Sequence, residues 1–324
     1  MYYRIRHLTR FRYSEPVTES IMEVRMHPRT EAQQRCLDYQ LAVTPKANIH
    51  TYRDYLGNSI HHFDIPGTHK QLQIMAESVV EMKPWTAVPD SLPPSAWDEL
   101  DQAVAAGDFW ENLLPSRFCN WTPLLDSLAA ELEAVRRGDP LSLLLELSAR
   151  MFSAFEYTPR STRVDSPIDE ALTQRGGVCQ DFAHIFIALS RKLAIPSRYV
   201  SGYLHHRKQD NDRSDDGATH AWVECWLPEL GWVGIDPTNN LVAGERHIRT
   251  AIGRDYADVP PARGVFKGSA KTRLTVAVDV SPCDELPPEL AEMTLSEENS
   301  FPQDVMALEQ QMSDWEIQQQ QQQQ

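Results

Sequence analysis

The sequence holds no apolar run near the ~20 residues that a bilayer-spanning helix requires, so a helical membrane protein is excluded. Cysteine is scarce. Five are spread over 324 residues and none forms a C-x-x-C pair, which argues against a disulfide framework and a zinc ribbon. Excess basic charge is absent too. The net charge is −15; residues 284–324 hold ten Asp or Glu and no Lys or Arg, so −10 falls in that tail and −5 on the rest. Such a body offers no basic footprint for nucleic-acid phosphates, and its acidity repels anionic lipid. The first residues, Met1-Tyr-Tyr-Arg-Ile-Arg-His7, lack an apolar signal region. The reading is a cytoplasmic protein with free thiols, no nucleic-acid partner and no membrane partner. What is present is an ordinary globular composition, 41% hydrophobic and 24% charged, enough to bury a core. At roughly 100–200 residues per domain, the length suggests two.

Residues 1–83 read as a strand-rich domain. Tyr3, Ile5, His7, Phe11 and Tyr13 alternate with Arg4, Arg6, Arg10 and Arg12, the period of a strand with one buried and one wet face. Shorter runs at 20–26, 36–44, 60–65 and 72–82 follow, separated by proline and glycine turns. An antiparallel β-sandwich-like domain is the economical reading. Residues 84–122 carry Pro84, Pro89, Pro93 and Pro94 and a short helical piece near 96–106, and read as a connecting segment. Residues 123–282 form the next domain. Helices are expected at 123–137, 140–155, 168–174 and 179–194, then strands at 197–203, 219–227, 231–236 and 272–280. Helices first and strands afterwards imply α+β, not repeated βαβ units. The acidic tail, 283–324, ends in seven glutamines and reads by composition as disordered, with Val305, Leu308, Met312 and Trp315 spaced as a pairing helix would need.

The chemistry concentrates in Arg175-Gly-Gly-Val-Cys-Gln-Asp-Phe-Ala-His184. Cys179 follows two glycines and opens an amphipathic helix. Glycine lets a substrate backbone approach closely. A helix N-terminus carries partial positive charge and free N–H groups, which favour thiolate and can hold an oxyanion. A cysteine nucleophile also needs a base and a group that orients the base. His220 opens the strand reading Thr219-His-Ala-Trp-Val-Glu-Cys-Trp226, and Asp236 ends the next, Gly231-Trp-Val-Gly-Ile-Asp236. Paired as a hairpin, these bring His220 near Asp236. A four-residue loop at 228–231 sets Asp236 opposite Val223, facing away from His220. A loop of 227–231 sets it opposite Trp222, on His220's face. The chemistry demands the second register or a bulge.

Together these segments resemble the bacterial transglutaminase-like family. Gly176-Gly-Val-Cys-Gln-Asp-Phe-Ala-His184, Pro196-Ser-Arg-Tyr-Val-Ser-Gly-Tyr203, Thr219-His-Ala-Trp-Val-Glu224 and Gly231-Trp-Val-Gly-Ile-Asp-Pro-Thr238 carry the likeness. Tyr3-Arg-Ile-Arg-His7, Phe11-Arg-Tyr-Ser-Glu-Pro16, Tyr52-Arg-Asp-Tyr-Leu-Gly-Asn58 and His61-His-Phe63 resemble the family's N-terminal β-domain. The likeness covers about residues 1–280. It implies a papain-like, transglutaminase-core domain of helices packed on an antiparallel sheet, following the β-domain. It implies a triad of Cys179, His220 and Asp236 acting through a thioester on an amide or peptide substrate. Hydrolysis is the first reading, amine transfer the second, and a non-catalytic scaffold the third. The Cys179 N–H is a candidate oxyanion donor, and Gln174 or a tryptophan indole a candidate second. Gly177, Trp222 and Gln174 are candidate substrate contacts.

Other polar residues have structural readings. Asp181 suits a helix N-terminus, and His184, five residues past Cys179, suits core packing. Neighbouring histidines at 61–62 and 205–206 point to opposite strand faces, and no Cys/His set has ligand spacing, so no metal and no cofactor is expected. No EF-hand-like loop suggests calcium. Trp222, Trp226 and Trp232 read as core or as a wall shielding the thioester. Residues 207–218 read as a mobile loop beside the cleft.

Overall fold

The structure is a computed structural model describing residues 1–283, apart from 86, 108, 208 and 211. The tail expected to be disordered lies outside the described residues, save for Cys283. The chain forms two compact units. One takes in residues 1–84, 216–218 and the described residues from 262; the other takes in 85–215 and 219–261.

The first unit is built from two four-stranded antiparallel sheets. One runs in the order Thr272–Cys283, Tyr2–Val17, His69–Met82, Gln34–Thr44; the other runs Ala262–Lys267, Glu19–Val24, Ser59–Ile65, His50–Arg53. Tyr3, Ile5, Phe11 and Tyr13 are buried, as their alternation requires. The opposite face is not uniformly wet. Arg10 is buried with its guanidinium on Gln73 Oε1, and Leu8 packs on Met75 with Ala42 and Ala277 around them. The sequence reading gave 272–280 to the second domain. Here Thr272–Cys283 pairs with Tyr2–Tyr13 in unbroken register, and Ala262–Lys267 pairs with Glu19–Val24. Alternation identifies a strand but not its partner, and these partners are between 238 and 281 residues away.

The second unit sets helices on a five-stranded antiparallel sheet ordered Leu241–Val242, Gly231–Asp236, His220–Leu227, Ser197–Leu204, His247–Gly253. Its central helix, Cys179–Lys192, is buried along nearly its whole length. Phe182, Ile185, Phe186 and Leu189 share one core with Ala221, Val223, Cys225, Val233 and Ile235 from the sheet. Two further helices, Pro123–Glu131 and Pro140–Ala154, start where capping chemistry places them. Thr122 Oγ1 accepts the Leu125 N–H, and Asp139 Oδ1 accepts those of Leu141 and Ser142; a proline occupies the first turn of each helix. Residues 84–122, read as a connection, contribute the helices Ala96–Ala105 and Trp110–Leu113. Leu92, Ala96, Leu100, Phe118 and Cys119 are part of this core. Among the described residues, no helix is long and apolar enough to cross a membrane.

Candidate active site

The local chain path fixes where Cys179 stands. The helix Ile168–Gln174 ends on Arg175 in the left-handed region. Gly176 and Gly177 then form a short parallel ladder with Glu156 and Tyr157. Val178 is extended, and Cys179 is the first residue of the central helix. Asp181 closes the turn: its Oδ2 accepts the Val178 N–H at 2.9 Å and the Thr162 hydroxyl at 2.5 Å. Burial pushes its carboxyl up to about 6, against these two hydrogen bonds. A Cβ on Gly177 would fall 2.6 Å from that Oδ2. Glycine is required there to clear the capping carboxylate, and Gly177 is buried. Cys179 is partly exposed.

The hairpin supplies the other two groups. Val223 pairs with Ile235 and Leu227 with Gly231, so Asp236 continues onto the position opposite Trp222. This is the register that the chemistry demands. The turn is shorter than the five-residue loop, because Glu229 and Gly231 take positive φ, 62° and 70°.

His220 Nε2 donates to Asp236 Oδ2 at 2.8 Å, with the imidazole and carboxylate 1% and 0% exposed. The other ring nitrogen, Nδ1, is buried and makes no hydrogen bond among the described residues. Cys179 lies near enough to this ring to favour its charged form. Burial opposes charge on the imidazole. The Asp236 charge and hydrogen bond, with help from Cys179, outweigh it and push His220 up to about 10. Burial also opposes charge on Asp236, yet His220 and His247 hold its carboxyl well below the usual range.

Three partners of Asp236 escaped the sequence reading. Asn239 Nδ2 donates to Oδ2 at 2.8 Å, and the Thr238 and Asn239 N–H groups reach Oδ1 at 3.1 and 3.3 Å. His247 Nε2 donates to Oδ2 at 3.2 Å. Asn239 follows the Asp-Pro-Thr turn and was within reach of inspection. His247 comes from a strand not foreseen, two positions across the sheet from the hairpin's first strand, and no motif marks it. Burial, the His220 charge and the Arg246 charge lower its pKa, with Asp236 opposing.

His220, Asp236 and His247 place one ligand atom each within 4.8 Å of one another. A cation held there would need the Nε2 lone pair of His247, hence a proton on Nδ1. That Nδ1 accepts the Gly244 N–H at 3.3 Å. The donor set therefore suits a hydrogen-bonded carboxylate better than a metal.

Trp222 is 1% exposed. It stacks on His220 at 6.0 Å between centroids and meets His247 edge-on at 5.2 Å, sealing the imidazole–carboxylate contacts from water. Trp226 and Trp232 pair at the turn end of the hairpin, against Phe109 and Arg198, away from Asp236. Gln174 is exposed at the end of its helix and makes no hydrogen bond to Cys179, His220 or Asp236 among the described residues. His184 stacks on Phe118 and accepts the Tyr256 N–H, the core role expected of it. The connection before His220, read as mobile, is pinned at several described points. Arg246 meets Asp212 at 2.7 Å, and Asn239 Oδ1 accepts the Arg213 and Ser214 N–H groups at 2.7 and 3.1 Å.

Residues 128–237 match the transglutaminase-like superfamily, and residues 3–81 match the bacterial transglutaminase-like N-terminal region. An uncharacterised protein of Mycobacterium leprae is 34% identical over 284 residues, 86% of this chain and 98% of the relative. The chain belongs to the transglutaminase-like superfamily. A protein-glutamine gamma-glutamyltransferase of Pseudomonas aeruginosa is 34% identical over 193 residues, 54% of this chain but 28% of that enzyme. The crystal structure of a candidate cysteine protease from Cytophaga hutchinsonii has a TM-score of 0.69 at 24% identity, covering 89% of this chain and 93% of that one, and shows the shared fold. For a transglutaminase-like protein, the α+β architecture with a β-rich N-terminal region is the expected one.

Proposed function

We propose that the protein performs thiol-dependent acyl chemistry on amide or peptide carbonyls, with hydrolysis as its outcome. The observation that carries this reading is the position of His220, whose Nε2 is committed to a buried carboxylate while Nδ1 makes no hydrogen bond among the described residues and Cys179 favours the charged ring. Cys179 passes its proton to His220 Nδ1, and the thiolate attacks the carbonyl carbon. The Cys179 N–H, at the first helical position, has no intrahelical acceptor and supports the oxyanion. The leaving amine takes the proton from Nδ1, and a thioester remains. Water then attacks, its proton returning to Nδ1, and the carbon–sulfur bond breaks. Asp236 holds the ring and balances its charge throughout. Transfer to an amine is the second reading, favoured by the name of the Pseudomonas relative. An amide or peptide partner and a cytoplasmic location complete the proposal.

Incubation with p-nitrophenyl acetate tests it. A nitrophenol burst near one equivalent, an acetyl group mapped to Cys179 and loss of both in Cys179→Ser are expected. Adding a primary amine separates the two outcomes: release of acetate unaffected by amine supports hydrolysis, and acetylated amine supports transfer. A full-length folded protein that acquires no acetyl group at Cys179 refutes the reading.

A further inference from the structure

Asp236 faces two imidazoles. The Nε2 atoms of His220 and His247 approach the same Oδ2, at 2.8 and 3.2 Å, and the ring centroids lie 6.1 Å apart. Both rings and the carboxylate are buried. Two adjacent imidazolium charges on one buried carboxylate would repel strongly at low dielectric, so a single proton is at stake. The remaining ring nitrogens decide who carries it. His247 Nδ1 accepts the Gly244 N–H, and the His247 N–H donates back to the Gly244 carbonyl at 3.0 Å. This clasp fixes His247 as the neutral Nε2–H tautomer. The groups facing it argue the same way: Arg246, the residue before it, and His220 on the hairpin disfavour a second cation, and Asp236 favours one. His220 Nδ1 has no such acceptor duty and is free to carry the proton.

We propose that His247 is a positioning residue acting through Asp236: a permanently neutral donor that shares the carboxylate's charge and so loosens its hold on the proton of His220. The consequence, which rests on the acyl-transfer reading, falls on deacylation. In the acyl-enzyme the thiolate is gone, and His220 Nδ1 must be unprotonated to take a proton from the attacking water. An Asp236 that lacks the second donor keeps His220 cationic to higher pH and delays that step.

The test follows steady-state p-nitrophenyl acetate turnover from pH 5 to 11, with spontaneous hydrolysis subtracted, for the full-length protein, His247→Ala and His247→Gln. In His247→Ala the acid limb is expected to move up by about one pH unit, giving roughly tenfold slower turnover on the acid side and convergence with wild type above the limb. His247→Gln supplies an amide N–H to the same oxygen and is expected to return the limb toward wild type. Turnover reduced equally at all pH values, or an unchanged profile, overturns the proposal, since lost packing alone scales the rate without moving its limb. Histidine nitrogen-15 NMR of the wild type gives a second arm. His247 is expected to remain the neutral Nε2–H tautomer throughout that range, and an Nδ1–H tautomer or a titration near its ordinary value overturns the proposal. The expected tautomer in a wild type with no Cys179-dependent burst overturns the acyl-transfer reading instead, and the deacylation role falls with it.

Discussion

Replacing Asp236 with Asn changes one atom and removes one charge, and the hydrogen-bond inventory sets the consequence. The amide oxygen can keep the Thr238 and Asn239 N–H groups at 3.1 and 3.3 Å. The amide nitrogen then stands where Oδ2 was, facing His220 Nε2, His247 Nε2 and Asn239 Nδ2 at 2.8, 3.2 and 2.8 Å. All three are donors, and an NH2 group cannot accept them. Flipping the amide moves the conflict to the two backbone N–H groups. His220 escapes only by shifting its proton to Nδ1, which removes the lone pair that the proposed mechanism uses as the base for Cys179. His247 cannot follow, because its Nδ1 already accepts from Gly244.

Removing one partner of a buried charge pair costs about 3–5 kcal/mol. An orphaned buried donor costs about 1–3 kcal/mol, and these terms overlap. We therefore expect Asp236→Asn to lose about 3–5 kcal/mol of unfolding free energy at pH 5.5, the upper part of the range for a buried pair or network. Acylation of Cys179 should fall by about 10⁴, the loss attributed to a wrong tautomer in a Ser-His-Asp triad. The stability difference depends on pH. His220 is raised above its unfolded value, so its contribution is complete below about 6.5 and lost as pH rises through about 10. Asp236 is depressed, so its contribution is present above about 3.9 and lost as pH falls through the folded value. The gap between wild type and Asp236→Asn is thus widest between about pH 4 and 6.5. Urea unfolding followed by tryptophan fluorescence at pH 5.5 and 9.5, with iodoacetamide labelling of Cys179 at pH 6, measures both effects. An Asp236→Asn protein with the wild-type midpoint at pH 5.5 and wild-type labelling would refute the reasoning.

Two further outcomes test the sheet and the core beneath the site. A Cβ on Gly202 would lie 2.1 Å from the Ile248 carbonyl oxygen and 2.7 Å from the Trp222 ring, on a strand that pairs with both His220 and Arg249; Gly202→Ala should cost about 3 kcal/mol or more, and an unchanged unfolding midpoint would contradict that packing. Burial pushes Cys119 up to about 12 and Cys225 up to about 11, so native protein at pH 7 should leave both unalkylated while urea exposes them; mass spectrometry finding either labelled as fast as Cys179 would contradict their place in the core.

Local signals carried far in this chain. The helices at Ile168–Gln174 and Cys179–Lys192 lie where apolar spacing and the Gly-Gly pair put them, and the strand Gly231–Asp236 has the bounds that alternation implies. The hairpin register was legible because only one register puts Asp236 on His220's face. What stayed hidden depends on partners distant along the chain. Arg10 reads as a wet-face residue until the Gln73 side chain reaches it from another strand. Thr272–Cys283 alternates cleanly, but nothing in that alternation says that Tyr2–Tyr13 is its neighbour.

The same distinction divides the site itself. Cys179, His220 and Asp236 announce themselves because each is embedded in residues that build its position: glycines before a helix start, a strand start, and a strand end before Pro-Thr. His247 has no such setting. Its strand is joined to Ser197–Leu204, and its contact with Asp236 is made across the sheet, through space that Trp222 also fills. A buried carboxylate is the clue that could have prompted a search. Asp236 is 0% exposed, and an ionised carboxylate without water must be matched by several donors. His220 and the two turn N–H groups leave acceptor capacity on Oδ2 unfilled. The need for more donors follows from chemistry, while the identity of His247 as one of them follows only from the fold.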